Sequence, residues 1–303
     1  MPVTGTFQAS PQAPFGRMLT AMVTPFTSEG DLDTAGAQRL ATHLVDSGND
    51  GLVVSGTTGE SPTTSDAEKD RLLRAVIEAV GDRATVVAGV GTNDTAHSLD
   101  LARAAEKAGA HGLLVVTPYY NKPPQEGLYR HFTAVADAAG LPVMLYDIPS
   151  RTGTPIQPET LLRLAQHERI VAVKDAKADL YHGSWVMSRG GLAYYCGDDA
   201  LNLAWLAVGA VGLVSVVGHV AAGDFAEMIR FALSGDLARA REIHYRTLPA
   251  VRGIMTRTQG AIMVKAALRL LDMHDGPVRP PLVDATDEQT SLLSSDLVEA
   301  GLL

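Results

Sequence analysis

Lys174 follows the run Ile170, Val171, Ala172 and Val173, an apolar stretch of the kind that forms a strand covered on both faces. A lysine at the mouth of an apolar barrel loses hydration, which disfavours the ammonium and frees the amine to attack a carbonyl. That is the first step of Schiff base chemistry. The competing reading is a structural ion pair with Asp175, Asp198 or Asp199, and spacing alone leaves both open. A Schiff base route needs proton transfers at the carbinolamine and at the enamine carbon. Tyr146, at the end of another apolar run, offers a phenol for them. Its plainer alternative is a half-buried aromatic whose hydroxyl bonds to backbone. Tyr119 and Tyr120, in TPYYNKPP, precede a proline-stiffened turn and suit either the site or a subunit interface.

The stretch SGTTGES places glycines beside Thr57 and Thr58, so that backbone amides and small hydroxyls can approach a carboxylate closely. Clusters of this composition also form ordinary turns, and the stretch lacks the Gly-Lys-Ser or Gly-Lys-Thr ending of a phosphate loop. Arg151, in YDIPSRTG, is a bidentate partner for a substrate carboxylate or else one half of a surface salt bridge. The nine histidines are scattered and form no HExxH or other spaced pair with a carboxylate on an obvious helix face, so no metal is expected. With neither GxGxxG after the first strand nor a G-x-S-x-G elbow, no cofactor is expected either.

These residues need elements that bring them together. Eight short apolar runs alternate with segments of helical period, at roughly 25 to 30 residues per repeat. The runs are LTAMVTPF from 19, GLVVSG from 51, ATVVAGV from 84, GLLVVTP from 112, PVMLYDIP from 142, IVAVKD from 170, LAYYCGD from 192 and VGLVSVV from 211. Amphipathic segments such as SDAEKDRLLRAVIEAVGD lie between them, with acids in the first turn and Leu72, Leu73, Val76 and Val80 on one face. The pattern predicts an α/β fold, a closed (β/α)8 TIM barrel over 17–232, with a doubly wound open sheet as the alternative. A loose N-terminal arm is expected over 1–16, and a C-terminal helical appendage over 233–303. In such a barrel the reaction sits at the carboxyl ends of the strands, where SGTTGE, TPYY, Tyr146, Arg151, Lys174 and Gly197 all fall.

Composition narrows the class. Of 303 residues, 46% are hydrophobic and 19% charged, enough apolar material for a large core and too little charge for disorder. A net charge of -9 and a pI near 5.4 oppose nucleic acid and anionic lipid as partners. The single cysteine, Cys196, excludes an internal disulfide and suits a reducing cytosol. The first sixteen residues lack the basic start and apolar core of a signal peptide, and AWLAVGAVGLVSVVGHVAAG is broken by glycines. A soluble cytoplasmic protein with no membrane partner is therefore expected.

Read in order and at their intervals, GTTGES, TPYYNKPPQEGLYRHF, YDIPSRTG, VKDA and GDDA resemble the dihydrodipicolinate synthase family. Its members, also called 4-hydroxy-tetrahydrodipicolinate synthases, belong to the pyruvate-dependent class I aldolases, as does N-acetylneuraminate lyase. The resemblance runs from about Gly16 to the C-terminus, and KDAKADL with GLVVSGTTGESPTT is similar to the actinobacterial branch. It implies that Lys174 forms an imine with pyruvate beside Tyr146, the proton donor and acceptor, with Thr57 and Tyr120 completing a hydroxyl relay. It also implies that Tyr120 reaches in from a neighbouring subunit of a homotetramer built as a dimer of dimers. Thr58 would bind the pyruvate carboxylate, Gly197 and Val214 would contribute nearby backbone contacts, and Arg151 would receive the carboxylate of L-aspartate 4-semialdehyde. The activity implied is condensation of those two substrates on the diaminopimelate route to L-lysine. Alternatives are another pyruvate-dependent aldolase acting on a sugar-derived acid, or a non-catalytic barrel that binds a keto acid.

Two departures from the family pattern stand out, of which the first, at Asp147, is expected to have little functional effect. Asp147 stands where many members have asparagine, which keeps an acceptor and adds charge. Asp66, Lys69 and His97 stand where lysine-sensitive bacterial members have histidines and a glutamate, while Asn93 and Tyr119 remain. Feedback by L-lysine is accordingly expected to be weak or absent.

Overall fold

The computed structural model describes residues 13–273 and 276–303. Eight strands form: β1 (Met18–Ala21), β2 (Gly51–Val54), β3 (Thr85–Gly89), β4 (Gly112–Val116), β5 (Val143–Asp147), β6 (Ile170–Asp175), β7 (Ala193–Cys196) and β8 (Gly212–Ser215). Each pairs in parallel with the next, and β8 pairs back to β1, so the sheet closes as a barrel and the open-sheet alternative falls away. Around it run α1 (Thr34–Asp46), α2 (Asp66–Val80), α3 (Thr95–Ala108), α4 (Gln125–Ala138), a single turn α5 (Pro149–Thr152), α6 (Pro158–Leu164), α7 (Leu180–Met187), α8 (Asn202–Val208) and α9 (Gly218–Leu233). Then follow α10 (Leu237–Val251), α11 (Gly260–Leu270) and α12 (Asp287–Glu299), with a turn of π-helix, Arg252–Thr256, after α10. The chain is thus a (β/α)8 TIM barrel with additional C-terminal helices.

The strands are buried on both faces because helices cover the outside while side chains fill the inside. Leu19, Val53, Val87, Leu114, Met144, Ala172, Ala193 and Val214 belong to the inner cluster. Their immediate neighbours Leu52, Val86, Leu113, Val143, Val173 and Leu213 pack outward against helices. This period of two decides the site: counting from Met144 and Ala172, Tyr146 and Lys174 point inward while Asp147 and Asp175 point outward.

Phe15 plugs the amino-terminal end of the barrel and is fully buried in the inner cluster. Its backbone N–H donates to the Tyr195 hydroxyl, which itself donates to the Gly16 carbonyl. Gly112 is required there, because a Cβ would fall 2.3 Å from the Phe15 ring. Of the arm expected over 1–16, residues 1–12 lie outside the described residues, whereas Phe15 and Gly16 belong to this floor. Among the described residues no helix is long and apolar enough to cross a membrane.

Candidate active site

β5 and β6 pair with Tyr146 directly opposite Lys174, and β6 and β7 pair with Lys174 opposite Tyr195. Lys174 is 3% exposed, and its Nζ lies 4.3 Å from the centroid of the Tyr146 ring. Gly197 is shaped by this lysine: a Cβ there would sit 2.9 Å from both its Cγ and its Cε.

The carboxylates that offered a structural ion pair are engaged elsewhere. Asp175 accepts from the Lys177 backbone N–H, and Asp198 caps the turn at Ala200. Asp199 accepts from Ser215 Oγ, Asn202 Nδ2 and the N–H groups of Val216 and Val217. Among the described residues no carboxylate forms an ion pair with Lys174. The Tyr146 hydroxyl likewise bonds to no backbone group among them.

A cavity of about 250 Å³ opens at the carboxyl ends of the strands and is lined by Thr57, Tyr146, Arg151 and Tyr119 with the glycines Gly56, Gly89 and Gly91. Lys174 meets it through the Tyr146 ring and does not line it. Thr58, next to Thr57, is buried, and Val214 is fully buried in the inner wall. Arg151 lies in the single turn α5, whose C-cap Gly153 is in the left-handed conformation, and its side chain is exposed with no carboxylate partner among the described residues. The surface salt bridge offered as its alternative does not occur among the described residues. Tyr120 does not reach the cavity of its own chain: it is 87% exposed, with φ +75°. Tyr119, its neighbour, takes the place on the wall.

Sequence reasoning assigned no role to Ser61, Pro62, Gly89, Gly91 or Ile148, which also line the cavity. The glycines left a signal in VAGVG: a Cβ on Gly89 would lie 2.4 Å from the Ser55 carbonyl oxygen, and one on Gly91 would lie 2.4 Å from the Val116 nitrogen.

Behind the barrel wall, Asp147 and Asp175 are register partners, both buried, facing a single ammonium. Lys177 Nζ lies 3.2 Å from Asp147, whose other oxygen accepts from the Ile156 N–H. Burial raises both carboxyls, partly offset by Lys177, and Asp175 is pushed up to about 6. The acceptor capacity expected at Asp147 is thus used. No cluster of three or more His, Cys, Asp or Glu side chains that could hold a metal occurs among the described residues.

Residues 14–300 match the model of the dihydrodipicolinate synthetase family. The chain is 65% identical over 294 residues to 4-hydroxy-tetrahydrodipicolinate synthase 2 of Streptomyces coelicolor, covering 97% of this chain and 98% of that one. It is 67% identical over 295 residues to the 4-hydroxy-tetrahydrodipicolinate synthase of Kineococcus radiotolerans, covering 97% and 96%. The crystal structure of the Cyanidioschyzon merolae enzyme with lysine bound superposes with a TM-score of 0.93 at 40% identity, covering 96% of this chain and 99% of that one. With the family model spanning nearly its whole length, the chain belongs to the dihydrodipicolinate synthetase family.

Proposed function

We propose that this chain condenses pyruvate, held as a Schiff base on Lys174, with L-aspartate 4-semialdehyde, as a 4-hydroxy-tetrahydrodipicolinate synthase on the diaminopimelate route to L-lysine. The observation that carries the reading is a buried lysine without a carboxylate partner among the described residues, 4.3 Å from the Tyr146 ring, beside a cavity that also receives Thr57 and Arg151. The Lys174 amine adds to the C2 carbonyl of pyruvate, and water leaves as the imine forms. Loss of a methyl proton gives the enamine, whose carbon attacks the aldehyde. The semialdehyde's own amine then attacks the imine carbon and displaces Lys174 as the ring closes.

In this scheme Tyr146 gives and takes the protons, and Thr57 with Tyr120 of a second copy relays them. Thr58 and the backbone at Gly197 and Val214 hold the pyruvate end, while Arg151 grips the carboxylate of the semialdehyde. The exposure of Tyr120 on its own chain supports its service to a neighbour, and a homotetramer built as a dimer of dimers is the assembly we infer. The scheme uses no cofactor. We place the enzyme in the cytoplasm, where the free buried Cys196 suits a reducing milieu.

The test is turnover of the two substrates through a coupled reductase, with Lys174→Ala as control. Turnover that vanishes in the control, together with borohydride trapping of pyruvate on the peptide holding Lys174, is the expected result. A label on another peptide overturns the assignment. Trapping without turnover moves the substrate to a sugar-derived aldehyde, and neither activity leaves a non-catalytic barrel.

A further inference from the structure

Glu60 closes the turn that carries Thr57 and Thr58, and its backbone lies in the left-handed region, φ 55° and ψ 37°. That conformation favours glycine, so a glutamate there calls for a reason lying in its side chain. The side chain is 1% exposed. One carboxylate oxygen lies 3.0 Å from Lys265 Nζ, and the other accepts from the Arg279 backbone N–H at 2.7 Å.

Both partners come from the region beyond the barrel, Lys265 from α11 and Arg279 from the segment between α11 and α12. Lys265, on α11, is fully buried, donates to the Pro277 carbonyl and stands 4.3 Å from the centroid of the Phe26 ring. The Arg279 guanidinium packs on the same ring, donates to the Thr63 carbonyl and holds Glu68 in the first turn of α2. The C-terminal region therefore grips the whole connection between β2 and α2, and Glu60 is the point of grip nearest the two threonines. Within the turn, the Glu60 N–H donates to the Thr57 carbonyl, and Thr24 Oγ1 donates to the Gly59 carbonyl. With those two bonds fixing its shape, the carboxylate of Glu60 sets where the turn stands relative to the barrel mouth.

We propose that the Glu60–Lys265 ion pair is a positioning device for the reaction, through which the C-terminal helices hold Thr57 and Thr58 at the place where pyruvate meets Lys174. The inference rests on the roles given above to Lys174 and the two threonines. A buried charge whose partner is removed is strongly destabilised and draws its surroundings out of place, so either single substitution displaces the turn.

The experiment compares Glu60→Gln, Lys265→Met and the double variant by pyruvate KM, kcat, borohydride trapping at subsaturating pyruvate, and Tm. Glu60→Gln is expected to raise pyruvate KM by about tenfold and to slow trapping by a similar factor. The double variant is expected to be no worse than the worse single, because the two groups act as one unit. A purely structural pair would lower Tm and leave KM alone, so a folded Glu60→Gln with KM and trapping within about twofold of the unmodified enzyme overturns the proposal. Single effects that multiply in the double variant overturn it too. Should Glu60→Gln fail to fold, Lys265→Arg decides: retention of the cation should rescue most of the KM lost in Lys265→Met, and equal loss in both rejects the proposal. The unmodified enzyme separates the two readings. If it traps no pyruvate, the Schiff base reading fails and this inference with it. If it traps pyruvate and the variants match it, only the positioning role fails.

Discussion

The connections after β2 and after β4 are both bent through left-handed, non-glycine residues, Ser55 and Glu60 in the first, Tyr120 and Lys122 in the second. Such conformations persist only where the surroundings over-determine them, at about 1–3 kcal/mol each. After β2 the surroundings belong to the chain itself: Glu60 is buried against Lys265, and Arg279 ties down Thr63 and Glu68. After β4 the chain offers little. Asn121 Nδ2 donates to the Asn93 carbonyl, and Tyr120 stands 87% exposed. One part of the proposed proton relay is thus positioned within the molecule, and the other, by the assembly proposed above, would be positioned by a second copy.

The largest effect that tests this contrast is at Tyr120. Replacing it by Phe should lower kcat by about 100-fold, the scale of one acid–base group, with Tm changed by less than about 2 °C because the side chain has little to lose within its own chain. A matching collapse in Tm would show that Tyr120 is a structural residue. Arg151→Ala comes next. It should lower kcat/KM for the semialdehyde by at least about tenfold while pyruvate trapping stays near that of the unmodified enzyme. Equal loss in both assays removes its assigned role.

Acid should loosen the two regions at different pH. His131, on α4 beyond the exposed loop, is buried, and its Nδ1 lies 3.0 Å from Thr95 Oγ1. Burial lowers its pKa from 6.5 to about 4. A depressed folded pKa contributes stability that is present above the unfolded value and lost as pH falls through the folded one, so up to about 3 kcal/mol disappears between pH 6.5 and 4. The clamp on α2 outlasts it, because the hydrogen bond from Arg279 holds Glu68 down to about 2. Thermal melts should therefore fall over that window and fall less steeply in His131→Gln; parallel slopes would exclude His131 as the source. The smallest expected effect is none at all. Asp66 is already held by His97 at 2.9 Å, and Lys69 adds a like charge beside it, so sub-millimolar L-lysine should leave turnover unchanged. Inhibition in that range would show that the region accepts the amino acid in spite of both.

Much of this was legible along the chain because strand and helix periods are local. Lys174 two residues after Ala172, and Tyr146 two after Met144, face inward by the pleat alone, and eight apolar runs at regular spacing give the barrel. Motif order supplied the family. The pattern was silent wherever contacts join distant segments. It placed Phe15 in an arm, whereas the barrel needed a plug at its floor. It left Lys174 between an ion pair and a nucleophile, since nothing along the chain tells where Asp199 finds its four donors.

The sequence by itself determined the alternation of strands and helices and the inward face of each strand, because those follow from residue type and short-range geometry, and its ordered motifs carried the resemblance that implied the Schiff base residues. Only the tertiary structure decided that Glu60 meets Lys265 and Arg279, that Tyr119 and not Tyr120 lines the cavity, and that Arg151 stands without a carboxylate partner among the described residues. Those outcomes depend on which distant surfaces close on one another, and a contact across some two hundred residues leaves no periodic trace in the chain that makes it.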